Sequence, residues 1–364
     1  MYCNWIRPLL FSLPPETAHR LTLQLIGLAG KITPLRSLIE SRLAPNTPQK
    51  VELFGLTFPN QLGLAAGYDK DAQAVLGLSA LGFGHIEIGT ITPKPQAGNP
   101  KPRIFRLKED QGVINRMGFP GRGADDCMKR LEKITHLKAI LGINIGKNKD
   151  TPLEHASQDY TILIDKLYNT ADYFAINISS PNTVGLRQLQ HSEYLDSLLA
   201  DILDAREIHR NLMNKFVPLL VKLSPDMEAS DLEQSIEVIL SRKIDGIIAT
   251  NTTITRNNLR SSRAVEAGGL SGKPISQLSN QVIAFILSVL ICFLLYTGFE
   301  YFAYLPGLRK IDEFVIRLGI NEHYTSMSRG VIDIRDITYY LAVVVVLNEA
   351  TRLSLLSRKW RRKT

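Results

Sequence analysis

Six short apolar runs, each ending in glycine or a small polar residue, recur between residues 62 and 252 of this chain. Strands that are apolar almost throughout, and that alternate with helical stretches, are typical of a parallel sheet covered on both faces. They predict an α/β fold, specifically a (β/α)8 TIM-type barrel with its functional residues at the carboxyl ends of the strands. A doubly wound open sheet is the alternative, but no GxGxxG follows a first strand. The runs are LGLAAG, HIEIGT, LGINIG, YFAINISS, PLLVKLS and GIIATNT.

The pattern stops after the glycine-rich segment GGLSGKP at 268–274, which is typical of an active-site loop. A barrel of this kind needs eight strands, so two remain to be found. No charged side chain occurs between Lys273 and Glu300, and Val282 to Phe299 is long enough to cross a bilayer. We therefore expect an apolar segment, long enough to span a membrane, in place of the last two β/α units.

A second apolar stretch, ITYYLAVVVVL, occupies residues 337–347. It is compatible with a membrane pass over 337–356, or with a buried strand, because successive valines favour β structure. The remaining alternative is that FILSVLICF and LAVVVVL complete the barrel as strands seven and eight. We favour membrane passes, because the first run is long for a strand and lacks flanking turn signals.

The chain thus divides into three predicted parts. Residues 1–45 form a pair of short helices broken at Pro14–Pro15, residues 46–274 form the incomplete barrel, and residues 275–364 form the atypical C-terminal segment. The apolar faces of the helical pair are compatible with a structural cap or with a membrane interface. The basic C-terminus, SRKWRRKT, indicates a cytoplasmic location for this end of the chain.

Charge and cysteine content exclude several function classes. The net charge is +8, but much of the excess lies in the last residues and no basic stripe is interleaved with aromatics, so nucleic-acid binding is not expected. Cys3, Cys127 and Cys292 are far apart and odd in number, and the histidines form no HExxH motif. Neither a disulfide framework nor a metal site is predicted.

The strand ends carry amides, hydroxyls and lysines, in AAGYDK, NRMGF, NISSPNT and TNTT and at Lys222. Such groups suit a flat ligand that is rich in carbonyl and N–H groups and bears a carboxylate. No phosphate-binding P-loop, carboxylate dyad or Ser-His-Asp arrangement accompanies them. One such motif could simply cap the following helix, but that explanation weakens across six consecutive strand ends.

From Met1 to about Pro274 these motifs resemble class 2 dihydroorotate dehydrogenase, the quinone-dependent family. The match rests on GLAAGYDKD, IEIGTITPKPQAGNPKPRIFRL, INRMGFP, GINIGKNKDTP, INISSPNTVGLR, ATNTT and GGLSGKP, in order and spacing. The resemblance implies a barrel that holds FMN and an N-terminal helical pair that admits a membrane quinone. It further implies oxidation of dihydroorotate to orotate in pyrimidine (UMP) biosynthesis, on the cytoplasmic side of the inner membrane.

Matching positions then imply residue roles. The catalytic base is Ser180, where class 1 of the family has cysteine. The residues implied to bind dihydroorotate or orotate are Lys70, Asn115, Arg116, Met117, Gly118, Phe119, Asn177, Asn182, Asn251 and Thr252. Those implied to bind FMN are Ala66, Gly67, Tyr68, Asp69, Lys70, Thr90, Asn144, Asn177, Lys222, Thr250 and Gly272.

The chain departs from the family after Pro274. In the family, backbone N–H groups after strands seven and eight cradle the FMN phosphate, whereas residues 275–364 contain no Gly-Gly turn after a seventh strand. About the last 85 residues, notably LGINEHYTSMSRGVIDIRDITYYL, instead resemble a bacterial ABC permease of the gliding-motility kind. The alternative functions are a non-catalytic fusion to a membrane transport fragment, and a flavin-free barrel that only binds orotate.

Overall fold

The structure, a computed structural model, describes residues 6–43, 49–303, 312–329 and 333–361. The chain divides into two compact units, Met1–Ile283 and Ala284–Thr364. In the described residues the strands are β1 Val51–Leu53, β2 Leu56–Phe58, β3 Gly63–Leu64, β4 His85–Ile91, β5 Ile104–Leu107, β6 Gly112–Asn115, β7 Ile140–Ile145, β8 Tyr173–Asn177, β9 Leu219–Leu223, β10 Gly246–Ala249 and β11 Gly269–Gly272.

The α-helices of the described residues are α1 Arg7–Ser12, α2 Pro15–Lys31, α3 Thr33–Leu43, α4 Val75–Ala80, α5 Ala124–Leu131, α6 Ala156–Leu167, α7 Ser192–Met213, α8 Ala229–Ser241, α9 Ser276–Ala303, α10 Asp312–Arg317, α11 Ile320–Ser328 and α12 Ile334–Arg361. Helices α4, α5, α6, α7 and α8 alternate with the strands of the first unit, as the sequence pattern predicts.

One parallel sheet contains β3, β4, β7, β8, β9 and β10 in that order, so each predicted apolar run supplies one strand. The central strands are buried on both faces, which explains their near-continuous apolar sequence. The edge strand β10 is only half-buried along its length. This is the sheet of a TIM-type α/β barrel, with six parallel strands and five intervening helices.

A hairpin closes the amino end of this sheet. Strands β1 and β2 pair antiparallel, and the hairpin's Phe54 and Leu56 pack against buried Tyr173 and Leu220 from the sheet. Gly142 makes room for the Tyr173 ring, because a Cβ at position 142 would lie 2.1 Å from Cζ of that tyrosine. Ligands can therefore enter the barrel at the carboxyl end of the strands.

A second, antiparallel sheet lies beside the carboxyl ends, with strand order β11–β6–β5. Part of the predicted glycine-rich loop GGLSGKP is strand β11, so the loop prediction is wrong over Gly269–Gly272. The glycines serve the turns at each side, since Gly268 and Gly272 have φ values of +127° and +92°. This sheet places Asn115, the last residue of β6, next to the barrel opening.

The predicted helical pair broken at Pro14–Pro15 is present as α1 and α2, and a third helix, α3, which was not predicted, follows it. A proline in the first turn favours a new helix start, and Pro34 occupies this position in α3. Helix α2 packs closely on α4, because a Cβ at Gly30 would lie 2.3 Å from the backbone nitrogen of Gly77. Its opposite face leaves Leu21, Leu25 and Leu28 exposed.

The described part of the second unit is helical. Both FILSVLICF and LAVVVVL lie in helices, α9 and α12, so their alternative as strands seven and eight is wrong. Among the described residues one helix, Lys273–Phe299, is long and apolar enough to cross a membrane, with a mean hydropathy of 2.6. The second predicted pass, 337–356, lies within α12 and stays a prediction.

Candidate functional site

Residues from four separate strand ends meet at one small cavity of about 100 Å³. Lys70 follows β3, Asn115 ends β6, Ser180 follows β8 and Asn251 follows β10. Parallel strands bring their carboxyl ends to the same edge, which explains why residues 181 positions apart become neighbours. The full lining is Ala66, Gly67, Lys70, Thr90, Asn115, Met117, Gly118, Phe119, Asn177, Ser180, Asn182, Lys222, Asn251 and Thr252.

A larger cavity of about 530 Å³ shares part of this lining. Its walls combine polar groups with the apolar side chains of Ile104, Val113 and Ile275. A cavity of this size with few convergent polar groups is typical of a small-molecule site. Sequence-predicted residues found here in addition to the shared ones are Tyr68 and Thr250.

Asparagine side chains form a continuous hydrogen-bond network beside the small cavity. Asn177 Nδ2 donates to Thr90 Oγ1 at 2.9 Å and to Asn144 Oδ1 at 3.1 Å. Asn251 Nδ2 donates to Asn177 Oδ1 at 3.2 Å and to Ser179 Oγ at 2.9 Å. The network holds amide groups from three strands in fixed orientations.

A second amide pair lies at the mouth of the cavity. Asn182 Nδ2 donates to Asn115 Oδ1 at 3.2 Å, and the backbone N–H of Asn182 donates to Ser180 Oγ at 3.3 Å. The Ser180 side chain is buried, with 5% of the residue exposed. Its hydroxyl therefore faces an enclosed, amide-lined space.

Lys70 supplies a cation to both cavities. Burial, the largest cause, lowers the pKa of Lys70 from 10.5 to about 8. The Asp71 carboxylate opposes this shift and the Arg103 cation adds to it. A partly desolvated ammonium group of this kind favours an anionic ligand, whose charge would offset the cost of burial.

Lys222 forms a buried ion pair that sequence reasoning missed. Its Nζ lies 3.1 Å from Glu87 Oε1, and both residues are almost fully enclosed. The same carboxylate accepts from Asn144 Nδ2 at 2.9 Å and from Tyr173 Oη at 3.3 Å. One signal was available in the sequence, since Glu87 is the charged residue inside the apolar run HIEIGT.

Four predicted residues lie outside the lining of both cavities: Arg116, Asp69, Asn144 and Gly272. Arg116 forms an ion pair with Glu266 at 2.8 Å. Asp69 accepts hydrogen bonds from the backbone N–H groups of Gln73 and Ala74, and burial raises the pKa of its carboxyl group. Asn144 acts through the network described above, and Gly272 forms the turn after β11.

Two further residues at the site were not predicted. Nε2 of His19, from α2, lies 2.7 Å from the backbone oxygen of Tyr68 and its ring lines the larger cavity. Burial lowers the pKa of His19, so the neutral imidazole is favoured. Arg187 binds the loops after β8, β9 and β10 through Ser179, Asp226 and Thr252. Neither role follows from spacing, because both depend on contacts between distant segments.

In the part of the chain that the structure describes, no group of three or more histidine, cysteine, aspartate or glutamate side chains is arranged to hold a metal ion.

A family profile described as Dihydroorotate dehydrogenase matches residues 49–291. Among curated proteins, Dihydroorotate dehydrogenase (quinone) of Yersinia enterocolitica is 50% identical over 286 residues, which cover 78% of this chain and 83% of the relative. The protein of the same name from Azoarcus sp. is 47% identical over 285 residues, covering 78% and 82%.

Solved structures show the same likeness. The crystal structure of DHODH from Eimeria tenella in complex with ferulenol superposes with a TM-score of 0.66 at 36% identity, covering 76% of this chain and 77% of that one. The ligand-free DHODH from the same organism gives a TM-score of 0.63 at 39% identity, with 72% and 79% covered. The resemblance of the C-terminal residues to a permease stays a prediction.

Proposed function

This chain belongs to the dihydroorotate dehydrogenase family, and from that premise we propose that it oxidises dihydroorotate to orotate, with FMN as cofactor and a membrane quinone as electron acceptor. The reaction would serve pyrimidine biosynthesis. The observation that carries the proposal is the convergence of Lys70, Asn115, Ser180 and Asn251 on one cavity. One cation, two amide groups and a buried hydroxyl match the chemistry of the substrate.

The substrate carboxylate would bind at Lys70, the cation shared by both cavities. The amides of Asn115, Asn182 and Asn251 would bind the ring carbonyl and N–H groups, because an asparagine side chain both donates and accepts. The other residues proposed to border the substrate are Arg116, Met117, Gly118, Phe119, Asn177 and Thr252. Neutral amides stabilise developing charge without competing for a proton.

Ser180 would act as the base that removes the proton from C5 of dihydroorotate. A serine hydroxyl is a weak base in water, so it must be held in position, and its own proton must pass to a further acceptor as it takes the proton from C5. Its neighbours there are neutral amides, while Lys70 favours negative charge that develops on the substrate. When bound, FMN would accept the hydride from C6 and pass its two electrons on to the quinone.

The ring end of FMN fits the larger cavity. A flat ring with polar edges needs hydrogen-bond donors and apolar walls, and the lining combines Lys222 and Thr250 with the apolar side chains of Ile104, Val113 and Ile275. Gly67 has φ +111°, and nothing but Lys70 Nζ lies within 4 Å of a Cβ built there, so the backbone can approach a ring closely. The further proposed FMN residues are Ala66, Tyr68, Asp69, Lys70, Thr90, Asn144, Asn177 and Gly272.

The phosphate end has a different setting from the one the family implies. Strand β11 is followed by α9, and the described residues between 276 and 361 are helical rather than β/α units seven and eight. Hydroxyl groups of Thr250, Ser271 and Ser279 line the larger cavity near this point. We propose that the FMN phosphate binds more weakly here than in a completed barrel.

Quinone access and membrane association belong to the same proposal. The exposed Leu21, Leu25 and Leu28 of α2 form an apolar face suited to a lipid interface. His19 of the same helix lines the larger cavity, so a quinone held by α2 would lie close to the FMN ring. The barrel would accordingly lie on the cytoplasmic side of the inner membrane.

Flavin content of the purified full-length protein tests the proposal. We expect a yellow preparation with a flavin absorption band that bleaches when dihydroorotate is added without oxygen and returns when a quinone is added. A colourless protein that binds orotate by calorimetry would identify a flavin-free orotate binder instead. A detergent-extracted protein that binds neither ligand would support the transport fragment and contradict the enzyme.

A further inference from the structure

Glu87 places a carboxylate inside the barrel, where it contacts side chains from three other strands. From β4 it accepts hydrogen bonds from Asn144 on β7, Tyr173 on β8 and Lys222 on β9. The distances are 2.9, 3.3 and 3.1 Å, and each of the four residues is less than 9% exposed. We refer to these four residues as the Glu87 cluster.

Folding alone does not account for this cluster. A buried ion pair contributes little net stability, because the cost of removing both charges from water offsets their attraction. Apolar side chains of similar volume would fill the same barrel layer at least as well. The position of the cluster is more informative, because Lys222 also lines both cavities while Glu87 lines neither.

A second connection runs from Glu87 to the substrate end of the site. Because Asn144 Nδ2 donates to Glu87, the Oδ1 atom of the same amide faces Thr90 and Asn177 and accepts from both. Asn177 in turn accepts from Asn251, which lines the small cavity. An acceptor-only carboxylate thus fixes the direction of every amide in this chain of hydrogen bonds.

We propose that Glu87 is a positioning residue that holds the Lys222 ammonium group and the Asn144 amide in the orientations needed by the flavin ring and the substrate. This inference rests on the proposed function, since FMN is the ring that Lys222 would contact. Glu87 itself touches neither ligand. It acts by fixing the cation at the ring edge and the amide sequence that leads to Asn251.

The test is a double-mutant cycle between positions 87 and 222. Glu87→Gln keeps the size of the side chain and removes its charge, and Lys222→Met removes the cation while keeping the length of the stem. The four apoproteins are titrated with FMN by quenching of flavin fluorescence and melted without ligand. Glu87→Gln should weaken FMN binding by about ten- to a hundredfold, the range expected for one lost charged hydrogen bond.

Non-additivity separates positioning from a merely structural role. If Glu87 acts partly through Lys222, the double variant loses less FMN affinity than the sum of the two single losses. Its melting temperature should exceed that of either single variant, because no unpaired buried charge remains. We therefore expect the double variant to be stable and to bind FMN weakly.

Asp245→Asn is the matched control. Asp245 pairs with Arg206 at 2.8 Å and accepts from the backbone N–H of Leu219, at the amino end of the sheet and away from both cavities. This variant should lower the melting temperature and leave FMN affinity unchanged. A similar loss of FMN affinity in Asp245→Asn would assign the Glu87→Gln effect to general loosening and overturn the proposal.

The remaining outcomes are decisive as well. Wild-type FMN affinity in Glu87→Gln, or additive effects in the double variant, overturns the positioning role and leaves the proposed function intact. A wild-type chain that binds no FMN overturns the proposed function. In that case orotate calorimetry tests the role of Glu87. Glu87→Gln should still weaken orotate binding through Asn144. An unchanged orotate affinity in this variant, or no orotate binding by the wild-type chain, overturns the inference.

Discussion

Ser180 has a buried hydroxyl group in an amide-lined cavity, and its proposed role as the base leads to a direct prediction. Ser180→Ala should slow flavin reduction by dihydroorotate about 10²-fold or more, because general base catalysis contributes that much. Stopped-flow absorbance of the bound flavin measures the rate. Orotate affinity should change little, since the hydroxyl contributes to proton removal rather than to the amide contacts.

Ser180→Cys is the matched comparison. A thiol has the size to occupy the same position, and a thiolate is a stronger base than serine at alkaline pH. The cysteine variant should retain more flavin reduction than the alanine variant, with the difference growing as the pH rises. Normal reduction in Ser180→Ala would refute the assignment of the base.

We expect orotate binding to depend on pH because of the Lys70 side chain. Burial lowers the pKa of this lysine to about 8, so the cation is present below that pH and is lost as the pH rises above it. Because the orotate carboxylate needs the cation, the affinity should be constant at lower pH and fall above about pH 8, by up to about tenfold per pH unit. Isothermal titration across this interval measures the profile.

Lys70→Arg provides the control for other titrating groups. A guanidinium group stays charged throughout the interval, so the fall in affinity should disappear while the overall affinity changes. A fall that persists in Lys70→Arg would assign the pH dependence to another group.

Sequence reasoning identified polar residues at strand ends, since their position depends only on the strand pattern. Fourteen residues line the small cavity, and each is among the site residues that the family resemblance implies, including Ala66 and Thr90, whose roles the strand pattern alone does not indicate. Glu87 and Arg187 were missed because their roles depend on partners 135 and 65 positions away. Such partners become visible only when the strands are placed side by side.

At the scale of elements, Arg187 binds three strand-end loops together. Its Nε donates to the Ser179 carbonyl at 3.2 Å, and Nη2 contacts the Thr252 carbonyl at 3.3 Å and Asp226 Oδ2 at 2.9 Å. Arg187→Lys should weaken orotate binding about tenfold, because one ammonium group cannot reproduce the fixed fork of a guanidinium. Calorimetry gives the affinity, and hydrogen exchange should increase in the segment that contains Ser180.

Arg242→Lys is the control for this substitution. Arg242 pairs with Asp196 on the surface through two hydrogen bonds, and it follows α8 at the amino end of β10, whereas the strand-end loops lie at the carboxyl end. Its replacement should leave orotate affinity unchanged. Unchanged affinity in Arg187→Lys as well would show that the loops hold their positions without this arginine.

The strands of the parallel sheet were predictable because burial on both faces leaves a continuous apolar run. Strand β11 was not, since GGLSG is rich in glycine, which is uncommon in strands, and pairs with β6 through a distant contact. The valines of α12 show the opposite case. Four β-branched residues favour a strand locally, yet Val343–Val346 lie within a 28-residue helix, because intrinsic propensity is a weak preference.

At the scale of the whole molecule, the chain consists of two compact units that differ in their sequence patterns and in their secondary structure. The first unit follows the pattern of a parallel sheet and carries the site, whereas the second is helical throughout its described residues. The sequence places the change of pattern near residue 275, and the units divide after Ile283, within α9. The predicted boundary therefore marks a change in composition just before α9 begins, and α9 continues across the division of the units after Ile283.

The apolar helix α9 leads to a prediction for the whole chain. A protein that is anchored by a membrane-spanning helix resists an extraction that removes peripheral proteins. After an alkaline carbonate wash, the wild-type chain should stay in the membrane pellet. Ile291→Arg should shift it to the supernatant, since an arginine near the centre of a span costs about 3 kcal/mol on insertion scales. Val265→Arg, at a position 91% exposed in the first unit, should leave the chain in the pellet. Wild-type chain released by carbonate would mean that α9 does not cross the bilayer and that any membrane contact is peripheral, through the exposed leucines of α2.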